Sequence, residues 1–311
     1  MHRLLATPVP GLSPAQHGEG PTWDAGRGEL LWVDISAGQV RRASVDADDT
    51  LTELAVHRGG DTVGAVVPAV DGGWLVAADG GFTHLADDGT ARVLIALAGE
   101  GGTEADGGTR MNDAACDPAG RFFAGTMAFD QRPGAGALYR LDLDGTVTTV
   151  LDGLTVSNGI GWSPDGGTVY LADSGPGLVH AFDYDLDSGT FAAGRVLLEF
   201  TGDDGVADGL TVDDEGCVWT ALWGGGQVRR WSPAGELLAV VEVPRVAQTS
   251  SCAFAGPGLD LLVVSTSAEG LDDAARAAQP DAGRLCTVRP GVTGPAASVY
   301  RGPVAGLRQV V

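Results

Sequence analysis

Short apolar runs recur along the chain, separated by clusters of Asp, Gly, Pro and Ser. Six of them follow the same kind of turn: Leu30-Leu31-Trp32-Val33 after Trp23-Asp24-Ala25-Gly26, Trp74-Leu75-Val76-Ala77 after Asp71-Gly72-Gly73, Phe122-Phe123-Ala124 after Asp117-Pro118-Ala119-Gly120. The series continues with Val169-Tyr170-Leu171-Ala172 after Ser163-Pro164-Asp165-Gly166, Val218-Trp219-Thr220-Ala221 after Asp213-Asp214-Glu215-Gly216, and Leu261-Leu262-Val263-Val264 after Gly256-Pro257-Gly258. Runs of this length bounded by turn residues read as strands, and helical spacing is confined to a short stretch near Leu271–Ala278. Successive copies are 42 to 49 residues apart, the length of a four-stranded propeller blade. The expected fold is all-β, a six-bladed β-propeller forming one domain over residues 1–311.

A propeller must close its ring to remove exposed sheet edges, and Arg284–Val288 is the candidate strand for pairing with N-terminal residues. Gly136–Leu141 and Thr146–Val150, joined at Asp142–Gly145, read as an outer hairpin. The strand ahead of each repeated turn is the natural one to line the central tunnel. Five residues before the turn residue, five of the six copies place Glu19, Asn112, Asn158, Asp208 and Ser251, whereas the second offers Gly64-Ala65-Val66. Four of six equivalent positions thus carry a carboxylate or carboxamide, and Glu19, Asn158 and Asp208 are each followed by glycine. Such a ring in a semi-buried tunnel is costly unless neutralised. It suits a hard divalent cation such as Ca²⁺, Mg²⁺ or Mn²⁺, with Zn²⁺ also compatible. The alternative is a ring whose members cap one another around water.

The chain carries 41 acidic and 19 basic side chains, a formal charge of −22, which argues against a nucleic-acid partner. All the basic residues are arginine, so Schiff-base chemistry and a P-loop are excluded. No apolar run is long enough for a membrane helix, and the N-terminal segment reaches Pro8 too soon for a secretory signal; a cytoplasmic protein with no membrane partner is expected. Cys116, Cys217, Cys252 and Cys286 lie far apart and read as small buried residues. There is no G-x-S-x-G elbow, and Asp183–Gly189 resembles the start of a calcium loop but has Gly194 at its twelfth position, so it is assigned to a hairpin turn. His17, two residues ahead of Glu19, is a further candidate for the pocket wall, whereas His2, His57, His84 and His180 show no ligand spacing. Trp162 and Trp219 are assigned to blade packing; Trp223, nearer a loop, is divided between packing and the pocket.

His17-Gly18-Glu19-Gly20-Pro21-Thr22-Trp23, Arg110-Met111-Asn112-Asp113, Phe122-Phe123-Ala124-Gly125-Thr126-Met127, Ser157-Asn158-Gly159-Ile160-Gly161-Trp162, Ala207-Asp208-Gly209-Leu210 and Thr249-Ser250-Ser251-Cys252 together resemble the senescence marker protein/gluconolactonase/luciferin-regenerating enzyme family, in the right order along nearly the whole chain. The resemblance implies a six-bladed propeller with one divalent cation at the tunnel mouth, Ca²⁺ or Zn²⁺ first and Mg²⁺ or Mn²⁺ as further candidates. It implies that Glu19, Asn158 and Asp208 are the metal ligands, that Asp208 is the general base, and that Arg110 and Asn112 hold substrate oxygens. A small sugar lactone is the implied substrate, hydrolysed by a monomer or weak homo-oligomer. The chain departs from the pattern at Phe129-Asp130, where sugar-lactone members carry glutamates, and at Gly161, where Asp is common; both are expected to alter the pocket mouth, with Asp130 as a remaining acceptor for a substrate hydroxyl. The loop Glu100–Gly107 is expected to shape the entrance. Two other readings compete with a lactonase: a metal-dependent esterase or phosphotriesterase-like hydrolase on a less polar substrate, and a non-catalytic calcium-binding propeller.

Overall fold

The computed structural model describes residues 1–305. Six sheets of antiparallel strands follow one another along the chain, and each sheet is a blade. The innermost strands are Gly18–Asp24, Val63–Pro68, Thr109–Cys116, Ser157–Trp162, Val206–Val212 and Thr249–Ala255. Each touches the next, and the sixth touches the first, so the fold is a closed six-bladed β-propeller. The ring closes as expected at the sixth blade, where Thr7–Pro8 pairs with Cys286–Val288. The N-terminal arm also adds His2–Leu5, parallel, to the outer strand Leu237–Glu242 of the fifth blade, so one segment seals two blades.

The apolar runs are continuous because each second strand is buried on both faces. Leu30 and Trp32 pack toward the sixth blade while Leu31 and Val33 pack toward the second. Leu261 and Val263 likewise face the first blade, and Leu262 and Val264 the fifth. The hydrophobic interior is therefore six separate cores between neighbouring blades, which leaves the axis free for polar groups.

Some of the repeated turns are fixed by buried aspartates. Asp117 accepts from the Arg121 N–H at 2.8 Å, Arg121 Nε at 2.7 Å and the Tyr184 hydroxyl at 2.6 Å. Asp213 accepts from Trp219 Nε1 at 2.9 Å and Arg230 Nε at 2.7 Å. The expected hairpins are present, Gly136–Leu141 with Val147–Leu154 and Leu178–Asp185 with Thr190–Glu199, so Asp183–Gly189 is a turn and its flank. Asp273–Ala278 is the one α-helix among the described residues, capped by Asp272, whose carboxylate accepts from Ala275 N–H at 2.8 Å. All four cysteines are buried and unpaired.

Candidate functional site

Every inner strand carries a register shift at the same height: Glu19/Thr22, Val63/Ala65, Met111/Ala114, Ser157/Ile160, Ala207/Leu210 and Thr249/Ser251. A bulge locally bends a strand and re-aims its side chains. Here six bulges in register bring Glu19, Asn112, Asn158 and Asp208 to the wall of one cavity of about 130 Å³, together with Arg110. The glycines around them answer to close approach. A Cβ on Gly64 would stand 2.1 Å from the Asn112 carbonyl oxygen, and one on Gly209 would stand 2.1 Å from Ser251 Oγ. The second blade thus offers glycine instead of a ligand because Asn112 backbone occupies the space.

Two further aspartates, at the ends of second strands, fix the entry to the inner strands. Asp34 accepts from the N–H groups of Gln16 and His17, at 2.8 and 3.1 Å, just ahead of Glu19. Asp173 accepts from Thr155 and Val156, just ahead of Asn158. Asp79 does the same for Asp61 and Thr62 in the second blade, which carries no candidate ligand.

Glu19, Arg110, Asn112, Asn158 and Asp208 are each 5 to 8 % exposed. Asn158 Nδ2 donates to Ser174 Oγ at 3.0 Å, and that hydroxyl donates to Ala207 O at 2.6 Å, which leaves the Asn158 amide oxygen free to accept. Asn112 is spent on its neighbours: Nδ2 donates to Ser157 O at 2.9 Å and Oδ1 accepts from Arg110 Nη1 at 2.7 Å. Arg110 Nη1 also donates to Met111 O at 3.0 Å, while its Nε and Nη2 donors have no acceptor among the described residues. A guanidinium pinned on one side with free donors on the other is suited to substrate oxygens.

The electrostatics are unbalanced. Burial holds the Glu19 carboxyl well above the usual carboxylate range, and Asp208 and Asp113 add repulsion. Burial, and then Asp113, push Asp208 the same way. Asp113, deeper in the tunnel, is raised to about 6 by burial. Arg110 is the cation that opposes them, itself lowered to about 10 by burial. Two carboxylates and an amide oxygen, with a third carboxylate behind them and one guanidinium beside them, fit a divalent cation in both charge and donor type. Because one of the three donors is an amide, no cluster of three His, Cys, Asp or Glu ligands occurs among the described residues.

Other sequence expectations are redistributed. His17 lines the cavity, its imidazole held neutral by burial and then by Arg110, with a pKa of about 3. Trp223 also lines it, which resolves that residue in favour of the pocket, whereas Trp162 and Trp219 pack between blades. Asp130 does not reach the cavity: its carboxylate pairs with Arg132 Nη1 at 3.0 Å, and Arg132 also donates to Gly107 O at 2.8 Å. Phe129 is likewise outside the lining and donates its N–H to Gly108 O at 3.1 Å. The Phe129-Asp130 departure therefore anchors the entrance loop, and Gln131, at φ 54°, takes the place at the mouth. The loop itself is tied down by Glu100, which accepts from Tyr139 Oη at 2.7 Å and from the hydroxyls of Thr109 and Thr126. Gly161 lies at the other end of the inner strands, in a cavity of about 310 Å³ walled by Trp23, Trp162 and Phe254, so its departure does not alter the mouth. That cavity is the larger, but the convergent polar groups line the smaller. Ser174, Met127, Val156 and Val206 complete the site, and sequence reasoning missed them because they come from second strands and linkers or, for Val206, from the start of an inner strand ahead of the aligned position.

A family profile described as SMP-30/Gluconolactonase/LRE-like region matches residues 17–268. Regucalcin of Danio rerio is 37% identical over 281 residues, covering 89% of this chain and 90% of that protein. Pentonolactonase XacC of Haloferax volcanii is 37% identical over 252 residues, covering 80% of this chain and 81% of that one. The crystal structure of a calcium-binding regucalcin from Agrobacterium tumefaciens superposes with a TM-score of 0.85 at 30% identity, covering 97% of this chain and 99% of the other. The matched span includes His17, Glu19, Arg110, Asn112, Asn158 and Asp208. The chain belongs to the SMP-30/gluconolactonase/LRE-like family.

Proposed function

We propose that this protein is a divalent-metal-dependent lactonase that hydrolyses a sugar (aldono-)lactone. The observation that carries the reading is the meeting, in one cavity, of two buried carboxylates and a free amide oxygen with a guanidinium whose Nε and Nη2 have no acceptor among the described residues. The family supports it, since a pentonolactonase is among the relatives at 37% identity.

Glu19, Asn158 and Asp208 would hold the cation. Such an ion, when bound, polarises a carbonyl and lowers the pKa of a neighbouring water. The remaining work falls to side chains. Arg110, pinned by Met111 and Asn112, receives hydroxyl or carbonyl oxygens and orients the ring. Asn112 acts by fixing Arg110, since both ends of its amide are already bonded. Asp208 takes the proton from the water that attacks the lactone carbonyl carbon; cleavage of the ring C–O bond then yields the hydroxy acid. Asp130, paired with Arg132, serves the entrance loop and not the substrate. A less polar ester has lost its main sequence argument, because Phe129 does not line the cavity.

The test is a panel of five- and six-membered aldonolactones, an aryl ester and a phosphotriester, followed by acid release with each divalent cation supplied in turn. Preferential opening of an aldonolactone is expected; preferential cleavage of the aryl ester or phosphotriester, or no turnover with any cation, contradicts the reading.

A further inference from the structure

The cavity is lined by two unlike kinds of group. Glu19, Arg110, Asn112, Asn158 and Asp208 supply charged and amide groups; Trp223 and His17 supply aromatic rings, with Val206 paired beside Trp223 and Met127 and Val156 also in the lining. The rings of His17 and Trp223 lie with centroids 5.4 Å apart at an interplanar angle of 44°. Both backbones are fixed. His17 donates its N–H to Asp34 Oδ1 at 3.1 Å, accepts from Ile35 N–H at 2.9 Å and bridges to Ser267. Trp223 ends a second strand, paired with Val206 and bridged to Gln248.

Their side chains, however, have unspent polar capacity. The His17 imidazole makes no hydrogen bond among the described residues, and neither does the Trp223 indole N–H. Trp219 and Trp231 are different: their N–H groups donate to Asp213 Oδ2 and Thr220 Oγ1, at 2.9 and 3.0 Å. An aromatic face joined to an imidazole whose ring nitrogens are unspent matches a ring that is apolar on its C–H face and carries hydroxyls at its edge.

We propose that Trp223 and His17 form a sugar-recognition subsite, with the Trp223 indole against the C–H face of the lactone ring and a His17 ring nitrogen hydrogen-bonded to a ring hydroxyl. This deepens the lactonase reading and rests on it. The subsite discriminates hydroxylated lactones from unsubstituted ones of the same ring size, and both residues act on binding.

The test uses the full chain with its divalent cation and compares an aldonolactone with γ-butyrolactone or δ-valerolactone. In His17→Ala the ratio of kcat/KM between hydroxylated and unsubstituted lactone falls about tenfold, the value of one hydrogen bond, with the loss in KM. His17→Asn, which keeps a donor and an acceptor, recovers part of it. Trp223→Leu raises KM for the aldonolactone, and Trp223→Phe, which keeps an aromatic face, raises it less. A KM that rises equally for both lactones, or an unchanged ratio in His17→Ala, overturns the subsite while leaving the lactonase reading in place. Should the wild-type protein open no lactone, that reading fails separately, and titration of tryptophan fluorescence with an open-chain aldonate decides the subsite. Quenching that disappears in Trp223→Leu supports it, and absence of quenching overturns it.

Discussion

Replacing Asp113 with Asn tests the claim that the tunnel holds more negative charge than its own residues neutralise. The substitution keeps the shape and the acceptor for Ala114 N–H, at 2.7 Å in the wild-type protein, and removes only the charge. Burial raises Asp113 to about 6, against roughly 3.9 for an unperturbed aspartate. At about 1.36 kcal/mol for each pH unit of displacement, ionised Asp113 costs the cation-free fold about 3 kcal/mol. The sign follows from the direction. A carboxyl raised in the folded state contributes stability that is fully present below about pH 4 and is lost as pH climbs through about 6. Cation-free Asp113→Asn should therefore match wild type near pH 4 and exceed it by about 3 kcal/mol at pH 8. With an unfolding entropy of about 2.1 cal/mol/K per residue over 311 residues, that is about 5 °C in Tm. The assay is thermal unfolding in chelator across that range, repeated with a divalent cation, which should close the gap because its charge favours ionised Asp113. Equal Tm values at pH 8 in chelator, or a gap independent of pH, would refute the reasoning.

Asp208→Ala should lower kcat by at least about a thousandfold and abolish the rise in Tm on adding a divalent cation; retention of either by calorimetry or turnover contradicts its two roles. Asp173→Ala, which strands the Thr155 and Val156 N–H groups, should cost about 3 kcal/mol and weaken cation binding through Asn158, whereas Asp79→Ala should cost stability without weakening the cation; titration calorimetry on the pair checks this. Gly64→Ala, whose Cβ would meet the Asn112 carbonyl at 2.1 Å, should cost about 3 kcal/mol in urea unfolding and raise KM by displacing the Arg110–Asn112 pair. Asp130→Ala should leave stability within about 0.5 kcal/mol and turnover within about twofold, as befits an exposed ion pair.

The propeller was legible because second strands such as Leu30–Val33 are apolar on both faces and recur at one spacing. The polar ring was legible for the same reason: equivalent positions in a symmetric ring must meet at its axis, and Glu19, Asn112, Asn158 and Asp208 occupy them. The bulges that aim these residues had only a faint trace, the glycines after Glu19, Asn158 and Asp208. Two residues were misplaced. Asp130 is turned aside by Arg132, a pairing that competes with any substrate contact, and Gly161 lies further along its strand, where the tunnel has widened into the second cavity. The anchors Asp34 and Asp173 went unread because their partners, the N–H groups ahead of the inner strands, belong to the backbone and leave no mark in side-chain chemistry.

The central claim is that Glu19, Asn158 and Asp208 hold a divalent cation on which lactone opening depends. Its most direct measurement is aldonolactone hydrolysis by protein stripped with chelator and titrated back with Ca²⁺, Mg²⁺, Mn²⁺ or Zn²⁺. Turnover should vanish on stripping and return in full at one cation per chain. Undiminished hydrolysis in chelator, or stoichiometric cation binding with no lactone opened, would contradict the account.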